Sequence, residues 1–248
     1  MKIGIIGIGN IGGTLARKLS AAGHEVRVAN SKGAEAVGPF ATEIGATATD
    51  ARGAVDGVDL VILSIPLPAV AALPKDLFVS LPDTVPVVDT GNYYPGMRDP
   101  QIAELDAGKT ESVWVSEQIG RPVIKAFNNI LAHSLKELGR PEGSPGRLAV
   151  AVAGDDTTAK KTVMGIVNGV GFDAVDGGTL QESWRQQPAT PGYCGDYDAA
   201  SMEKALSAAV PGEAPAIRDR LLKNMSTSGP RLTHDDMIAM NRSANPLG

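Results

Sequence analysis

The sequence predicts an α/β fold: a doubly wound, mostly parallel sheet with a small C-terminal helical part. Three observations predict it. Short apolar runs alternate with helical patterns as far as Asp176, a glycine-rich turn joins the first run to the first helix, and polar, proline-broken segments follow. Strands alternating with helices imply right-handed βαβ crossovers and therefore parallel strands.

The elements follow in order. Lys2–Ile6 is a near-continuous apolar run ending in glycine, which suits a strand buried on both faces. Ile11, Leu15 and Leu19 recur on one helical face, and Gly23 closes that helix. Glu25–Ala29 reads as a second strand, Ala34–Ile44 as a helix ending at Gly45, and Ala46–Thr49 as a short third strand with Asp50 capping the next helix. Further strands are expected at Asp59–Ile65, Val85–Asp89, Pro122–Ala126, Leu148–Ala153 and Phe172–Val175. Asp155-Asp156 caps a helix reaching about Val167. Beyond a boundary near Gly178, helices are expected at Ala199–Ala209, Ala214–Lys223 and Asp235–Asn241, and 243–248 is expected to fray. The organisation is thus residues 1–178 as a nucleotide-binding domain with an extended sheet, and 179–248 as the small helical part.

Composition bounds the function. The 248 residues are 43% hydrophobic and 21% charged, with a net charge of −5 and both signs scattered, so no basic stripe for nucleic acid and no polybasic membrane patch stands out. The single cysteine, Cys194, forbids an internal disulfide and suits a reducing, cytoplasmic compartment. The opening "MKIGIIGIGNIGG" is too short and glycine-broken for a signal peptide. No spacing of metal ligands and no nucleophile motif is present.

"GIGNIG" places Gly7, Gly9 and Gly12 between a strand and a helix. Gly7 permits the tight turn, Gly9 lets backbone approach a pyrophosphate, and Gly12 lets the helix pack on the strand, while the helix N-terminus from Asn10 faces the anion. The turn reads as the dinucleotide-binding turn of a Rossmann-type domain, with a glycine-rich turn that holds no ligand as the alternative. At the tip of the second strand, where an NAD enzyme carries a carboxylate for the ribose hydroxyl, the chain reads Asn30-Ser31-Lys32. A hydroxyl donor and a point charge suit a 2′-phosphate, so NADP(H) is the expected dinucleotide. A merely solvated turn is the alternative.

Ligands of open α/β sheets bind outside the carboxyl ends of the strands. The residues expected there are Ser64 at the strand's end, Ile65 and Pro66 under a nicotinamide ring, Asn92 and Asn128 for its carboxamide or ribose, and Tyr93 and Tyr94 for a flat acceptor. Tyrosines equally anchor loops by packing, and Asn128 equally caps the next helix. His133, five residues into that helix, is a candidate proton donor or a structural histidine. The segment Glu182–Tyr197, with Trp184 and Pro191, either closes over the crevice or anchors the small part against the sheet.

"MKIGIIGIGNIGGTLARKLSAAGHEVRVANSKG", "VDTGNYYPG", "KAFNNI", "VAGDD" and "GFDAVDGGTLQESWRQQPATPGY" together resemble the NADPH-dependent F420 reductase family, also called coenzyme F420-dependent NADP oxidoreductases, in its bacterial branch. The likeness spans roughly Met1 to Tyr197. It implies hydride transfer between NADPH and the deazaflavin ring of coenzyme F420, or a flavin in its place, with little demand on side-chain acids or bases. Residues matched to the family pattern are Ile8, Gly9, Asn10 and Ile11 at the phosphate turn, Ser31 and Lys32 at the 2′-phosphate, and Ile65, Pro66, Ala126 and Asn128 facing the nicotinamide. Where the family commonly has Ser-Arg, Lys32 keeps the charge without the planar fork. A flavin or small carbonyl/imine reductase on the same scaffold, and a non-catalytic NADP(H) sensor, are the competing functions. The expected partner is a small-molecule acceptor, and a homodimer is the expected assembly because symmetric dimers are common.

Overall fold

The structure, a computed structural model, describes residues 1–227 and 232–247, with side chains outside 224–227. The chain runs β1 (Lys2–Ile6), α1 (Asn10–Ala21), β2 (Glu25–Ala29), α2 (Ala34–Ile44), β3 (Thr47–Ala48), α3 (Ala51–Val55), β4 (Leu60–Leu63), α4 (Leu67–Ala71) and β5 (Val87–Asp89). It continues through α5 (Ala103–Asp106), α6 (Glu111–Ile119), β6 (Ile124–Lys125), α7 (Ala132–Glu137), β7 (Ala149–Val152), α8 (Thr157–Gly169) and β8 (Asp173–Asp176). A 3₁₀ helix at Gln181–Gln186 then leads to α9 (Ala199–Ala208), α10 (Ala214–Thr227) and α11 (His234–Ala244).

Six strands pair in the order β3-β2-β1-β4-β5-β6, all parallel. The direction of winding therefore reverses between β1 and β4, which opens a crevice at their carboxyl ends. Alternate side chains supply two cores. Ile3, Ile5, Val26, Val28, Leu60 and Ile62 pack with Leu15 and Leu19 of α1 and Val163 and Val167 of α8. Ile6, Val61, Leu63 and Val87 pack on the other face with Val55, Leu67 and Trp114.

Several expectations need correction. Strands β7 and β8, expected within one parallel sheet, form a separate parallel pair. A two-way bridge joins this pair to the main sheet, in which Lys125 N donates to Ala153 O at 2.8 Å and Ala153 N donates to Lys125 O at 3.0 Å, so β7 runs against β6. Periodicity marks a run as a strand; its direction is decided by pairing across the chain. The strands β3, β4, β5 and β6 are also shorter than their apolar runs. Helices α4, α5 and α6 lie outside the expected elements; α4 and α5 are five and four residues long, and α6 buries Glu111 and Ser112 along with Trp114, Val115 and Ile119, so its inner face carries no run of apolar residues. Asp156 is the cap of α8, its carboxylate accepting from Ala159 N at 2.7 Å, while Asp155 instead accepts from Leu180 N at 2.9 Å.

The C-terminal helices form as expected, but 243–247 does not fray. Asn245 Nδ2 donates to Ala189 O at 3.1 Å and Leu247 packs on the β7–β8 core, while Gly248 lies outside the described residues. Thr233 and Asp236 make a reciprocal capping box on α11. That helix buries none of its residues and is held by polar contacts: Asn241 Nδ2 to Cys194 O at 3.1 Å, Arg242 Nε to Gly195 O at 2.7 Å and Arg242 Nη2 to Asp196 O at 2.8 Å.

Candidate functional site

A cleft of about 370 Å³ opens at the β1–β4 switch point. One side carries Gly9, Asn10 and Ile11 of the glycine turn, with Ser64, Ile65 and Pro66 after β4 beside them. The segment after β5 adds Thr90, Gly91, Asn92, Tyr94 and Arg98, and the segment after β6 adds Phe127, Asn128, Ile130, Leu131 and Ala132. Tyr193 and Cys194 close it from the segment before α9.

The glycine turn has different requirements at its three glycines. Gly7 sits at φ +100°, where an added Cβ lies 2.2 Å from Ser64 O, and a Cβ on Gly12 lies 2.0 Å from Gly7 O. Both are fixed by the protein's own backbone. A Cβ on Gly9 meets nothing within 4 Å, and its φ of −69° is ordinary for any residue. The absence of a side chain there serves whatever lies over the turn. Helix α1 has no side-chain cap and no acidic residue in its first turn, so its N–H groups stay available to an anion. These observations fit a dinucleotide pyrophosphate.

The tip of β2 lies against the same turn, since Gly7 N donates to Ala29 O at 2.8 Å. Asn30 Oδ1 accepts from Lys32 N at 2.8 Å, an Asx turn that folds Ser31 and Lys32 outward, both exposed. Among the described residues no carboxylate pairs with Lys32. Arg52, another cation of this region, is held instead by Asp76 at 2.8 Å.

The family model described as "NADP oxidoreductase coenzyme F420-dependent" matches residues 2–93. The Escherichia coli (strain K12) protein YjhV is 50% identical over 142 residues, which cover 57% of this chain and 91% of YjhV. The chain belongs to the coenzyme F420-dependent NADP oxidoreductase family. As a member it is an NADP-dependent oxidoreductase. The hypothetical protein SMa0349 from Sinorhizobium meliloti superposes with a TM-score of 0.61 at 29% identity, over 75% of this chain and 89% of that one. A candidate F420-dependent NADP-reductase from Arthrobacter sp. FB24 shares the fold with a TM-score of 0.60 at 21% identity, over 92% and 96% of the two chains.

In this F420-dependent NADP oxidoreductase family member, several residues expected at the cleft stand elsewhere. Ala126 is fully buried in the core beneath it. Tyr93 is buried too, its hydroxyl donating to Asp106 Oδ1 at 2.9 Å and accepting from Ile102 N at 2.8 Å, so it anchors the loop to α5. Trp184 lines a different depression beside Lys109 and Val210, with the Arg185 guanidinium 4.7 Å over its ring. Pro191 lines a third, near Asn245. His133 is the second residue of α7 rather than five residues in, because 128–131 bends before the helix starts. Its ring packs 4.5 Å from that of His234, in a depression shared with Asp196 and Arg242.

Asn92 and Asn128 do reach the cleft, but bonded to each other. Asn92 Nδ2 donates to Asn128 O at 2.9 Å, and Asn128 Nδ2 donates to Asn92 Oδ1 at 3.0 Å and to Gln186 O at 2.7 Å. Gln186 Nε2 returns a bond to Asn128 Oδ1 at 2.8 Å. Asn128 therefore ties the rims after β5 and β6 to the 3₁₀ helix, and Leu131 takes the N-cap position of α7.

Sequence reasoning missed three features. Tyr193 and Cys194, not Trp184 or Pro191, carry the Glu182–Tyr197 segment into the cleft. Phe127 and Cys194, both lining residues, hold left-handed backbone at φ 61° and 49°, which non-glycine residues adopt only where surroundings enforce it. Beneath the floor, Lys125 is completely buried. Its Nζ donates to Asp89 Oδ2 at 3.1 Å and Gly91 O at 2.5 Å, and lies 3.7 Å from Glu111 Oε2. Asp89 also accepts from Ser112 Oγ at 2.7 Å and Gly91 N at 2.8 Å. Burial pushes the Glu111 carboxyl up to about 7, against the opposing pull of Lys125. A lysine three residues before an asparagine pair in "KAFNNI" gives no one-dimensional sign that it is interior.

Proposed function

We propose that this NADP-dependent oxidoreductase moves a hydride between NADP(H) and the deazaflavin coenzyme F420. The observation that carries the proposal is the chemistry of the cleft wall. Its apolar and aromatic members are Ile65, Pro66, Phe127, Ile130 and Leu131, its polar ones include Asn92, Arg98 and Asn128, and among the described residues it holds no carboxylate and no imidazole. Such a wall suits a flat ring that accepts a hydride at carbon without a strong side-chain acid. A carbonyl or imine substrate asks more of a proton donor; of the two expected ones, Tyr93 is bonded to Asp106 and Ile102 and His133 stands outside the cleft, while the phenols that do line it, Tyr94 and Tyr193, bond to each other.

In this reading Gly9, Asn10, Ile11 and the start of α1 hold the pyrophosphate, Ser31 and Lys32 hold the 2′-phosphate, and Ile65, Pro66 and Asn128 border the nicotinamide. When bound, NADPH supplies the hydride. The chain's own contribution is to orient the two rings and to exclude water, which serves through proximity and a low local dielectric. The enzyme is expected to act in the cytoplasm as a homodimer.

Purified protein assayed side by side with coenzyme F420 and FMN as acceptors for NADPH tests the proposal. Turnover with F420 supports it. Turnover with FMN alone replaces the deazaflavin by a flavin, and NADPH binding without reduction of either favours a sensor.

A further inference from the structure

Two phenols converge at the cleft from distant parts of the chain. Tyr94 follows β5 and Tyr193 precedes α9, 99 residues away, and their hydroxyls bond to each other. Both line the cleft bordered by the glycine turn, Ile65 and Pro66. Each is held in place by its neighbours. The Arg98 guanidinium lies 5.0 Å over the Tyr94 ring and is itself fixed by Asn92 O and both Asp99 oxygens. The segment carrying Tyr193 is fixed by Cys194 N donating to Asn129 O at 3.0 Å and by Asn241 of α11 donating to Cys194 O.

A count of protons gives the pair a chemical capacity. Each phenol has one O–H to donate, and one bond between two phenols uses one of the two protons. One donor stays free. Burial raises both phenols and the thiol above their ordinary values, so the donor keeps its proton at neutral pH.

We propose that the Tyr94–Tyr193 pair donates the hydrogen bond that binds the hydride acceptor, to a carbonyl oxygen or ring nitrogen of a flat heteroaromatic ring. The inference rests on the reading of the cleft as the place where the acceptor reacts. As the acceptor's carbon gains a hydride, its electron pair shifts along the conjugated system to that oxygen or nitrogen. The atom becomes a stronger hydrogen-bond acceptor, so the phenol's bond tightens in the transition state. A solvent proton then neutralises it, and both phenols keep their own protons throughout. The pair thus acts as a donor fixed before reaction rather than as an acid.

The test uses the full chain and the variants Tyr94→Phe, Tyr193→Phe and the double variant. Protein saturated with NADP⁺ is titrated with oxidised coenzyme F420, and separately with FMN, by the ligand's visible absorbance. NADPH affinity, thermal midpoint and turnover are measured beside it. The double variant is expected to bind the acceptor about ten-fold more weakly and to lose roughly 10²–10³ in kcat, the scale of one lost oxyanion-type donor, with NADPH affinity unchanged. If the double variant does not fold, the singles decide: at least one must weaken acceptor binding several-fold. Unchanged acceptor binding in the variants overturns the pair's role, as does a loss shared equally by NADPH affinity and thermal midpoint, which marks a fastening of the fold. Wild-type turnover with an unchanged double variant leaves the F420 reading standing and removes the pair. Binding of F420 without turnover, abolished in the double variant, does the reverse. Wild-type protein that binds neither acceptor sinks both.

Discussion

Lys32 is exposed at the tip of β2, folded outward by the Asn30 Asx turn, with no carboxylate among the described residues competing for its charge. Lys32→Ala is expected to weaken NADPH binding by roughly ten-fold, the worth of one charge-assisted contact, and to leave NADH binding nearly unchanged. Calorimetric titration with both dinucleotides checks it, and equal losses would show that Lys32 never meets the 2′-phosphate. Glu111 behaves in the opposite way, because its environment rather than its position matters. Its folded carboxyl, pushed up to about 7 from the ordinary 4.5, keeps a proton that the unfolded chain has released. The resulting stability is present below the unfolded value and is lost as pH rises through about 7. Glu111→Gln, neutral at every pH, should flatten the dependence of the urea midpoint on pH across this window. A slope as steep as the wild type's would remove Glu111 as its source.

At the scale of elements, the β1–α1 turn separates two demands that look identical in "GIGNIG". Gly12→Ala places a Cβ 2.0 Å from Gly7 O, and the expected cost is about 1–3 kcal/mol of stability, as for overpacking generally. Gly9→Ala adds a Cβ into open space at a permissible φ, so the thermal midpoint should hold while NADPH affinity falls. Melting curves and cofactor titrations of the two variants distinguish them. A Gly9→Ala protein that binds NADPH like the wild type would mean that nothing approaches the turn closely. The sequence showed the turn, its flanking strand and its helix, because all three lie within one short stretch and depend on local geometry. It also assigned Gly7 and Gly12 to the fold and Gly9 to the ligand, but not the atoms that crowd Gly7 and Gly12, which belong to Ser64 and to the turn's own folded backbone.

For the molecule as a whole, Lys125 sits where layers meet. Its backbone bridges the main sheet to β7, and its ammonium joins Asp89 of β5 and Glu111 of α6 under the cleft floor. Lys125→Met leaves Asp89 buried without its counter-charge, and the expected loss is about 3–5 kcal/mol in chemical denaturation. A loss within experimental error would mean that solvent reaches Asp89 despite its 1% exposure.

The strand–turn–helix unit, the bare phosphate turn, the missing carboxylate at the tip of β2 and the run of C-terminal helices were all legible along the chain. Each is written in local spacing: a period of two or of 3.6, a glycine where backbone must turn, a polar tip after an apolar run. Tertiary structure alone decided that β7 opposes β6, that Lys125 is interior, that Asn92 and Asn128 satisfy one another, and that Tyr193 rather than Trp184 meets Tyr94 at the cleft. Those facts depend on residues tens of positions apart meeting in space. Pairing and burial are properties of the folded chain, and no periodicity along the sequence encodes them.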